Sequence, residues 1–375
     1  MHFDTIIIGG GSMGMSAGYF SAKNGKQTLI IDRYEPPHHY GSHHGNTRII
    51  RYAYGEGLDY VPLALRAKEL WQEAEMLTQR RLISAVGVLN IGCQDDIFMK
   101  NIIQSAKDFN LPLVVMTKEE IEKKWPTIHL QQQQIGCYEP SAGYLHVEDC
   151  IAAYKDLAQL EGAYFSFNNT VLKIEQQPQH IVVHTTKGHF TADHIIVTVG
   201  AWAHHFLQEA TIQLPLTPLR KTFAWFEASE HFSEEKFPCF SFIEQNATYY
   251  GFPNIDGTGL KIGRHDGGQP MDPRGKRHDF GSYIEDEGDL VHFLKRYMPS
   301  VSKLIDGQAC MYSMTPDEDF IIDYAPTSKR IIIAAGFSGH GFKFASAIGE
   351  LLSQLANDEK SPFLSPRFAI NRFIT

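Results

Sequence analysis

The sequence predicts a mixed α/β (α+β) fold in two domains, one built on a mainly parallel sheet and the other on an antiparallel sheet. Three observations carry this expectation: a strand, glycine turn, helix and strand in succession at the N-terminus; two later apolar, β-branched runs that suit buried parallel strands; and a long stretch of strand patterns separated by turn residues. With 375 residues, 43% of them hydrophobic and 21% charged, the chain can bury two cores and is not a disordered polymer.

The first unit reads as a strand at Thr5 to Ile8, a turn at Gly9 to Gly14, a helix to about Asn24 closed by Gly25, and a second strand at Thr28 to Ile31. Leu63, Ala67, Leu70, Trp71, Ala74 and Leu77 then recur at helical spacing behind Pro62, which suits a first helical turn. Thr117 and Glu120 form a capping box for a short helix that must stop before Pro126. A further helix runs from about Val147 to Leu160 with Gly162 as its stop, followed by strands at Val171 to Ile174 and Ile181 to Thr185.

His194 to Val199 is one of the two buried parallel strands; Arg330 to Ala335 is the other, leading through a glycine-rich turn into a helix ending at Leu355. Between them, from Leu214 to about Met314, strand patterns at Thr222 to Glu227, Thr248 to Phe252 and Leu260 to Gly263 suggest an antiparallel sheet. The two domains are therefore interleaved: residues 1–85, 146–213 and 315–375 form the first, and 86–145 and 214–314 the second.

A formal net charge of -9 gives no field to draw in nucleic acid or an anionic membrane, so neither is expected as a partner. Five cysteines without a CxxC pair argue against a disulfide framework and a structural zinc, and point to a reducing cytoplasm. The apolar run Ile6 to Ile8 is too short for a signal peptide, and no run approaches the roughly 20 apolar residues that cross a bilayer. A soluble, cytoplasmic protein is expected.

Gly9, Gly11 and Gly14, with Ser12 and Met13 between them, make a G-x-G-x-x-G turn between a strand and a helix, where backbone amides receive a pyrophosphate. Asp32, 18 residues past Gly14 at the end of the second strand, suits an adenosine ribose. This is a Rossmann-like signature, and it leaves FAD and NAD equally open. A second cluster, Gly41 to Arg51, crowds His43, His44, Thr47, Arg48 and Arg51 into a glycine-flanked loop. Such a loop is either a solvated basic surface or a cleft wall whose guanidinium clamps a carboxylate. No acid or cysteine lies at a ligand-like spacing from the histidines, so no metal is expected. In the third cluster, Gly336 to Phe344, Gly339 and Gly341 allow close approach of a cofactor. Lys343, between two phenylalanines, either covers apolar surface with its stem or supplies charge to an anionic substrate.

These motifs, together with Tyr52 to Gly57, Tyr249 to Pro253, Leu260 to Gly263 and Ala309 to Tyr312, resemble the monomeric sarcosine oxidase and N-methyl-L-tryptophan oxidase family over nearly the whole chain. The resemblance implies an FAD-binding domain and a substrate domain, FAD attached through Cys310, and a monomer. It implies that Arg51 and Lys343 hold a substrate carboxylate, that Tyr250, His265 and Tyr312 line the pocket, that His44 and Arg48 lie near the flavin, and that Lys261 promotes reaction with molecular oxygen. The activity implied is oxidative demethylation of a small N-methyl amino acid, giving the amino acid, formaldehyde and hydrogen peroxide. Ser241 departs from the larger apolar residue of sarcosine-specific members, which favours bulkier substrates. Two other readings remain open: a flavin dehydrogenase of a secondary or cyclic amino acid with a non-oxygen acceptor, and a nucleotide-binding protein without turnover.

Overall fold

The computed structural model describes residues 1–301 and 303–373. An eight-stranded sheet contains a run of five parallel strands, starting at one edge with Tyr164–Ser166 and continuing through Thr28–Ile31, His2–Ile8, Gly188–Val197 and Ser328–Ala335. Beyond the opposite end the strands are antiparallel, formed by Val171–Gln176 with Ile181–Thr185 and by Ile321–Ala325. Thr28–Ile31 and the C-terminal ends of His2–Ile8, Gly188–Val197 and Ser328–Ala335 are buried on both faces, which is why they read as continuous apolar runs. Ile7, Ile30, Ile196 and Ile332 pack under helices Ser12–Lys23, Val61–Thr78, Val147–Leu160 and Ala345–Ala356, whereas Ile6, Ile31, Ile195 and Ile333 enter a second core on the other face. The strand expected at His194 begins earlier, at Gly188, because its first half pairs with Ile181–Thr185 and its second half with Ser328–Ala335.

A nine-stranded sheet is built from residues 88–139 and 217–314. It is antiparallel as expected except at one seam, where Val88–Cys93 runs parallel to Cys239–Ile243. These strands come from stretches separated by much of the first sheet, so no hairpin dictates their relative direction. A small antiparallel sheet of Thr47–Ile50, Gly143–His146 and Ile83–Ser84 completes the strands.

Alternate residues of the nine-stranded sheet face opposite ways. Leu89, Phe240, Phe242, Leu260 and Ile262 point to one side and pack with Leu290, Phe293, Leu294 and Tyr297 of the helix Glu285–Tyr297. The expectation of an antiparallel stretch over 214–314 omitted this helix, although Glu285, Asp286 and Glu287 in its first turn and Lys295 and Arg296 in its last suit the helix dipole. It is fastened by a buried bidentate pair, with Arg220 Nη1 and Nη2 donating to Asp286 Oδ1 and Oδ2 at 2.8 and 2.7 Å. Arg220 also donates to the carbonyls of His278 and Asp279, and Asp286 accepts from the amide of Gly281.

Removing one member of a buried pair leaves the other charge without its partner, a loss of about 3–5 kcal/mol. Asp286→Ala is expected to lower stability by that amount in urea unfolding. Asp286→Ala with Arg220→Met should cost less than the sum of the two single changes, and strict additivity would show that the pair is not coupled.

Candidate active site

The first glycine turn lies at the C-terminal edge of the parallel strands. Gly9 has φ +102°, and a Cβ there would meet the Thr198 carbonyl oxygen at 2.5 Å; a Cβ on Gly14 would overlap the Gly9 carbonyl oxygen, so this helix meets the turn at a distance only glycine permits. The helix Ser12–Lys23 has no side-chain cap and no acid in its first turn. Its first amides are thus free for an anion. They face a cavity of about 410 Å³ whose wall includes Gly9, Gly11, Ser12, Met13, Asp32, Arg48, Gly339 and Gly341. Asp32 accepts hydrogen bonds from the amides of Gly10 at 2.6 Å and Tyr34 at 2.7 Å, which fixes its carboxylate at the cavity edge.

Buried polar atoms without partners gather around the same cavity, including both ring nitrogens of His38, Nε2 of His43 and Oγ of Ser313. Burial pushes His43 and His44 down to about 3, with neighbouring positive groups adding to the effect, so both are neutral acceptors or donors at ordinary pH. The uncapped helix, the close-approach glycines, the ribose-type acid and these unpartnered groups fit a dinucleotide such as FAD.

The second sheet supplies the other wall. Cross-strand register puts Lys221 opposite Cys310 and Leu219 opposite Tyr312, while Phe223, Gly263, Tyr250, Ser241 and Asn90 follow one another across five strands. Directly opposed residues share a face. Lys261, opposite Trp225 and Phe252, also lies on this face, the reverse of the one covered by the helix Glu285–Tyr297. One side of the sheet therefore gathers Lys261, Tyr250, Tyr312 and Cys310. Tyr312 also lines the cavity, and Tyr250 lies close enough to raise the cost of ionising Tyr312, while the Tyr312 side chain eases ionisation of Tyr250. Burial pushes Tyr250 up to about 12 and holds His265 down at about 4; the His265 and Tyr312 ring centroids are 5.8 Å apart.

Lys261 is 2% exposed and donates to the Gly45 carbonyl, to Thr47 Oγ1 at 3.0 Å and to the Thr47 carbonyl at 3.4 Å, with Phe223 at 4.5 Å. Burial, and then Arg48, drive its pKa well below the usual lysine value. The oxygen acceptors and the aromatic ring favour its protonated form but do not cancel that desolvation. His44 is buried with its ring 5.9 Å from Phe223, and Arg48 donates to the Thr47 and Ser42 carbonyls, both at 2.8 Å. Gly14, His44, Thr47 and Cys310 are set back from the cavity lining itself.

Two further cations come from outside the nine-stranded sheet, one after the strand Thr47–Ile50 and one after Ser328–Ala335. Arg51 forms an ion pair with Glu56, its Nε has no partner, and its guanidinium lies 5.1 Å from the Tyr54 ring centroid. Burial works against the Arg51 charge, and Glu56, with Tyr54 and Glu139, together more than offset it; burial likewise opposes Glu56, which Arg51, His340 and Lys343 hold down at about 2. The loop is anchored from below, since the buried Glu139 carboxylate accepts from the amides of Tyr52 and Ala53.

Lys343 donates to the His340 carbonyl at 2.7 Å and to Tyr54 Oη at 3.3 Å. Tyr54 Oη lies 2.8 Å from His340 Nδ1, and His340 Nε2 lies 3.1 Å from the Glu318 carbonyl. A carbonyl only accepts, so Nε2 carries the proton and Tyr54 donates to Nδ1. Burial lowers Lys343 to about 7, with Arg51 adding to the effect; it has no carboxylate hydrogen-bonded to it.

Sequence reasoning did not single out Lys221, Asn90, Glu56 or Glu139. Lys221 is 3% exposed, donates to the carbonyls of Asp266 and Gly267 immediately after His265, and is lowered to about 8 by burial. Its signal was the same as that of Lys261, a lysine inside an apolar strand. Glu56 and Glu139 had no such signal, because their partners come from other parts of the chain.

Residues 4–355 match the protein family described as FAD dependent oxidoreductase. The chain is 44% identical to monomeric sarcosine oxidase of Bacillus sp. (strain B-0618), covering 99% of this chain and 96% of that protein. It is 40% identical to N-methyl-L-tryptophan oxidase of Yersinia pestis (strain Pestoides F), with all of both chains covered. Among solved structures, NikD, an amino acid oxidase essential for nikkomycin biosynthesis, superposes with a TM-score of 0.86 at 20% identity, covering 98% of this chain and 97% of the other. L-Proline dehydrogenase from P. horikoshii superposes with a TM-score of 0.85 at 22% identity, covering 99% and 97%. These two likenesses establish the fold. Among the described residues, no helix is long and apolar enough to cross a membrane.

Proposed function

The chain belongs to the FAD dependent oxidoreductase family, with sarcosine and N-methyltryptophan oxidases among its relatives, and on that premise we propose that it oxidatively demethylates N-methyl amino acids. Water and oxygen are consumed, and the amino acid, formaldehyde and hydrogen peroxide are released. Residues 1–85, 146–213 and 315–375 form the FAD-binding domain, 86–145 and 214–314 the substrate domain, and the protein acts as a cytoplasmic monomer.

The observation that carries the reading is a buried lysine with no carboxylate hydrogen-bonded to it, Lys343, beside Arg51 and next to the glycine turn that lines the cavity. A carboxylate-bearing substrate supplies the missing anion, and Arg51 offers it the unpartnered Nε. When bound, FAD would supply the two-electron redox chemistry that links amine oxidation to oxygen. Gly9, Gly11, Ser12, Met13, Asp32, Arg48, Gly339, Gly341 and Cys310 would hold it. Tyr250, Tyr312 and neutral His265 make a wall with little negative charge, which favours the unprotonated amine that the oxidation requires. Lys261, acting after substrate oxidation, stabilises the negative charge that develops on oxygen.

Cys310 carries the FAD covalently. Its thiol is buried and thereby raised, but Arg48, Lys221, Arg277 and Lys261 all draw it back toward the thiolate, the nucleophilic form. Acid-precipitated wild-type protein should form a yellow pellet, and Cys310→Ser should release its flavin to the supernatant. Complete release from the wild type would remove this assignment.

Lys343 is charged below about pH 7 and loses its charge above it. A carboxylate ligand binds the charged form, so affinity for an amine-free carboxylate such as propionate should fall by up to about tenfold per pH unit above 7. Calorimetric titration from pH 6 to 9 measures this, and Lys343→Arg should flatten the profile. A wild-type affinity independent of pH would show that Lys343 does not meet the carboxylate.

Lys261→Met should leave anaerobic reduction by substrate within about tenfold of wild type. Reoxidation by oxygen should slow by about a hundredfold or more. Because burial depresses the Lys261 pKa, its charge is lost as pH rises, so wild-type reoxidation should be faster at the acid end of the range. Stopped-flow absorbance separates the half-reactions; normal reoxidation in the mutant would end this role.

A further inference from the structure

Asn90 interrupts an otherwise apolar strand, Val88–Cys93, and its side chain is completely buried. Leu89 and Ile91 on either side of it point into the apolar core with Phe240 and Phe242. By the two-residue period of the strand, Asn90 points the other way, onto the face that carries Tyr250, Lys261 and Tyr312. It lies directly beside Ser241, and Ser241 lies directly beside Tyr250, so the three side chains form a row across neighbouring strands.

The smaller Ser241 does not simply leave empty volume for a bulkier substrate. Its Oγ donates to Asn90 Oδ1 at 2.6 Å, and the residue is only 3% exposed. The Asn90 amide nitrogen is buried and has no partner. Turning the amide over exchanges the roles within the pair but still leaves one donor free, then the Ser241 hydroxyl. A buried donor left unmatched is unfavourable and is rare in a sheet interior unless something else completes it. Apolar residues at both positions would have packed at no such cost, so the pair is not needed to build the sheet.

We propose that Asn90 and Ser241 form the subsite for the substrate's side chain and select N-methyl amino acids that carry a hydrogen-bond acceptor there. This deepens the reading given above and rests on it: Arg51 and Lys343 take the carboxylate, the tyrosine wall takes the amine, and Asn90 reads the side chain from the strand beyond Ser241. A site built to hydrogen bond such a group rejects an apolar isostere strongly, because binding the isostere leaves the site's own polar groups unpaired.

The test compares near-isosteres that differ in polarity. N-methyl-L-asparagine is set against N-methyl-L-leucine and N-methyl-L-glutamine against N-methyl-L-homoleucine, with kcat/KM measured for each. The wild type should prefer the amide member of at least one pair by about tenfold or more. Asn90→Leu should abolish or invert that ratio, and Ser241→Ala should reduce it, with thermal unfolding reporting whether each variant is folded. Binding supplies a readout free of turnover: calorimetry should give tighter binding of succinamate than of 4-methylpentanoate to the wild type, with the order lost in Asn90→Leu. Equal or opposite preference at both lengths in the wild type would overturn the proposal even if no variant folded, as would a preference that survives in a folded Asn90→Leu. Failure to oxidise any N-methyl amino acid, sarcosine included, would instead overturn the function on which the proposal stands.

Discussion

The nine-stranded sheet must dispose of two unlike faces, and the placement of the chemistry follows from how it does so. One face is apolar and is covered by the helix Glu285–Tyr297, held down through Arg220 and Asp286. The other carries Lys221, Lys261 and Asn90, all buried. Polar groups there are tolerable only when something brings oxygen or nitrogen to meet them. Gly45 and Thr47 bring oxygen to Lys261, and the turn after His265 brings two carbonyls to Lys221. The need to satisfy buried ammonium groups thus draws the basic loop and the His265 turn onto the sheet.

Carboxylates are scarce around these cations. Glu56 compensates Arg51, but Lys343 and Lys261 are held by carbonyl and hydroxyl oxygens, which solvate an ammonium without neutralising it. Their depressed pKa values express that difference. Such a site retains a preference for an incoming anion that a set of closed salt bridges would lose. The chain from Lys343 through Tyr54 to His340 and the Glu318 carbonyl fixes the proton on His340 Nε2, so the ring is a settled part of the scaffold.

What could be read from the sequence was what local chemistry determines. The strand, glycine turn and helix at the N-terminus, the Thr117 capping box and the glycine stop after Leu160 are each written within a few residues. Lys261 stood out because a lysine inside an apolar strand is costly; Lys221 and Asn90 have the same anomaly and were passed over beside stronger motifs. Cys310 carries no local signal, and its significance came only through the family resemblance. The parallel seam between Val88–Cys93 and Cys239–Ile243 was not legible, because strand direction across a long separation is set by the packing of the whole sheet. The same holds for Glu56 and Glu139, whose buried charges matter only once Arg51 and the Tyr52 amide have been folded against them.

The interleaving of the strands bears on how the chain reaches its fold during synthesis. The first sheet takes its last central strand from Ser328–Ala335, and the nine-stranded sheet takes strands from residue 88 through residue 314. Neither can close while the ribosome is still making the first three hundred residues. Unpaired edges such as that of His2–Ile8 and Val88–Cys93 must therefore wait for partners far along the message, exposed to the contacts that lead to aggregation. An emerging chain of this topology has more need of a holding chaperone than one of equal length in which each domain is encoded as an uninterrupted stretch.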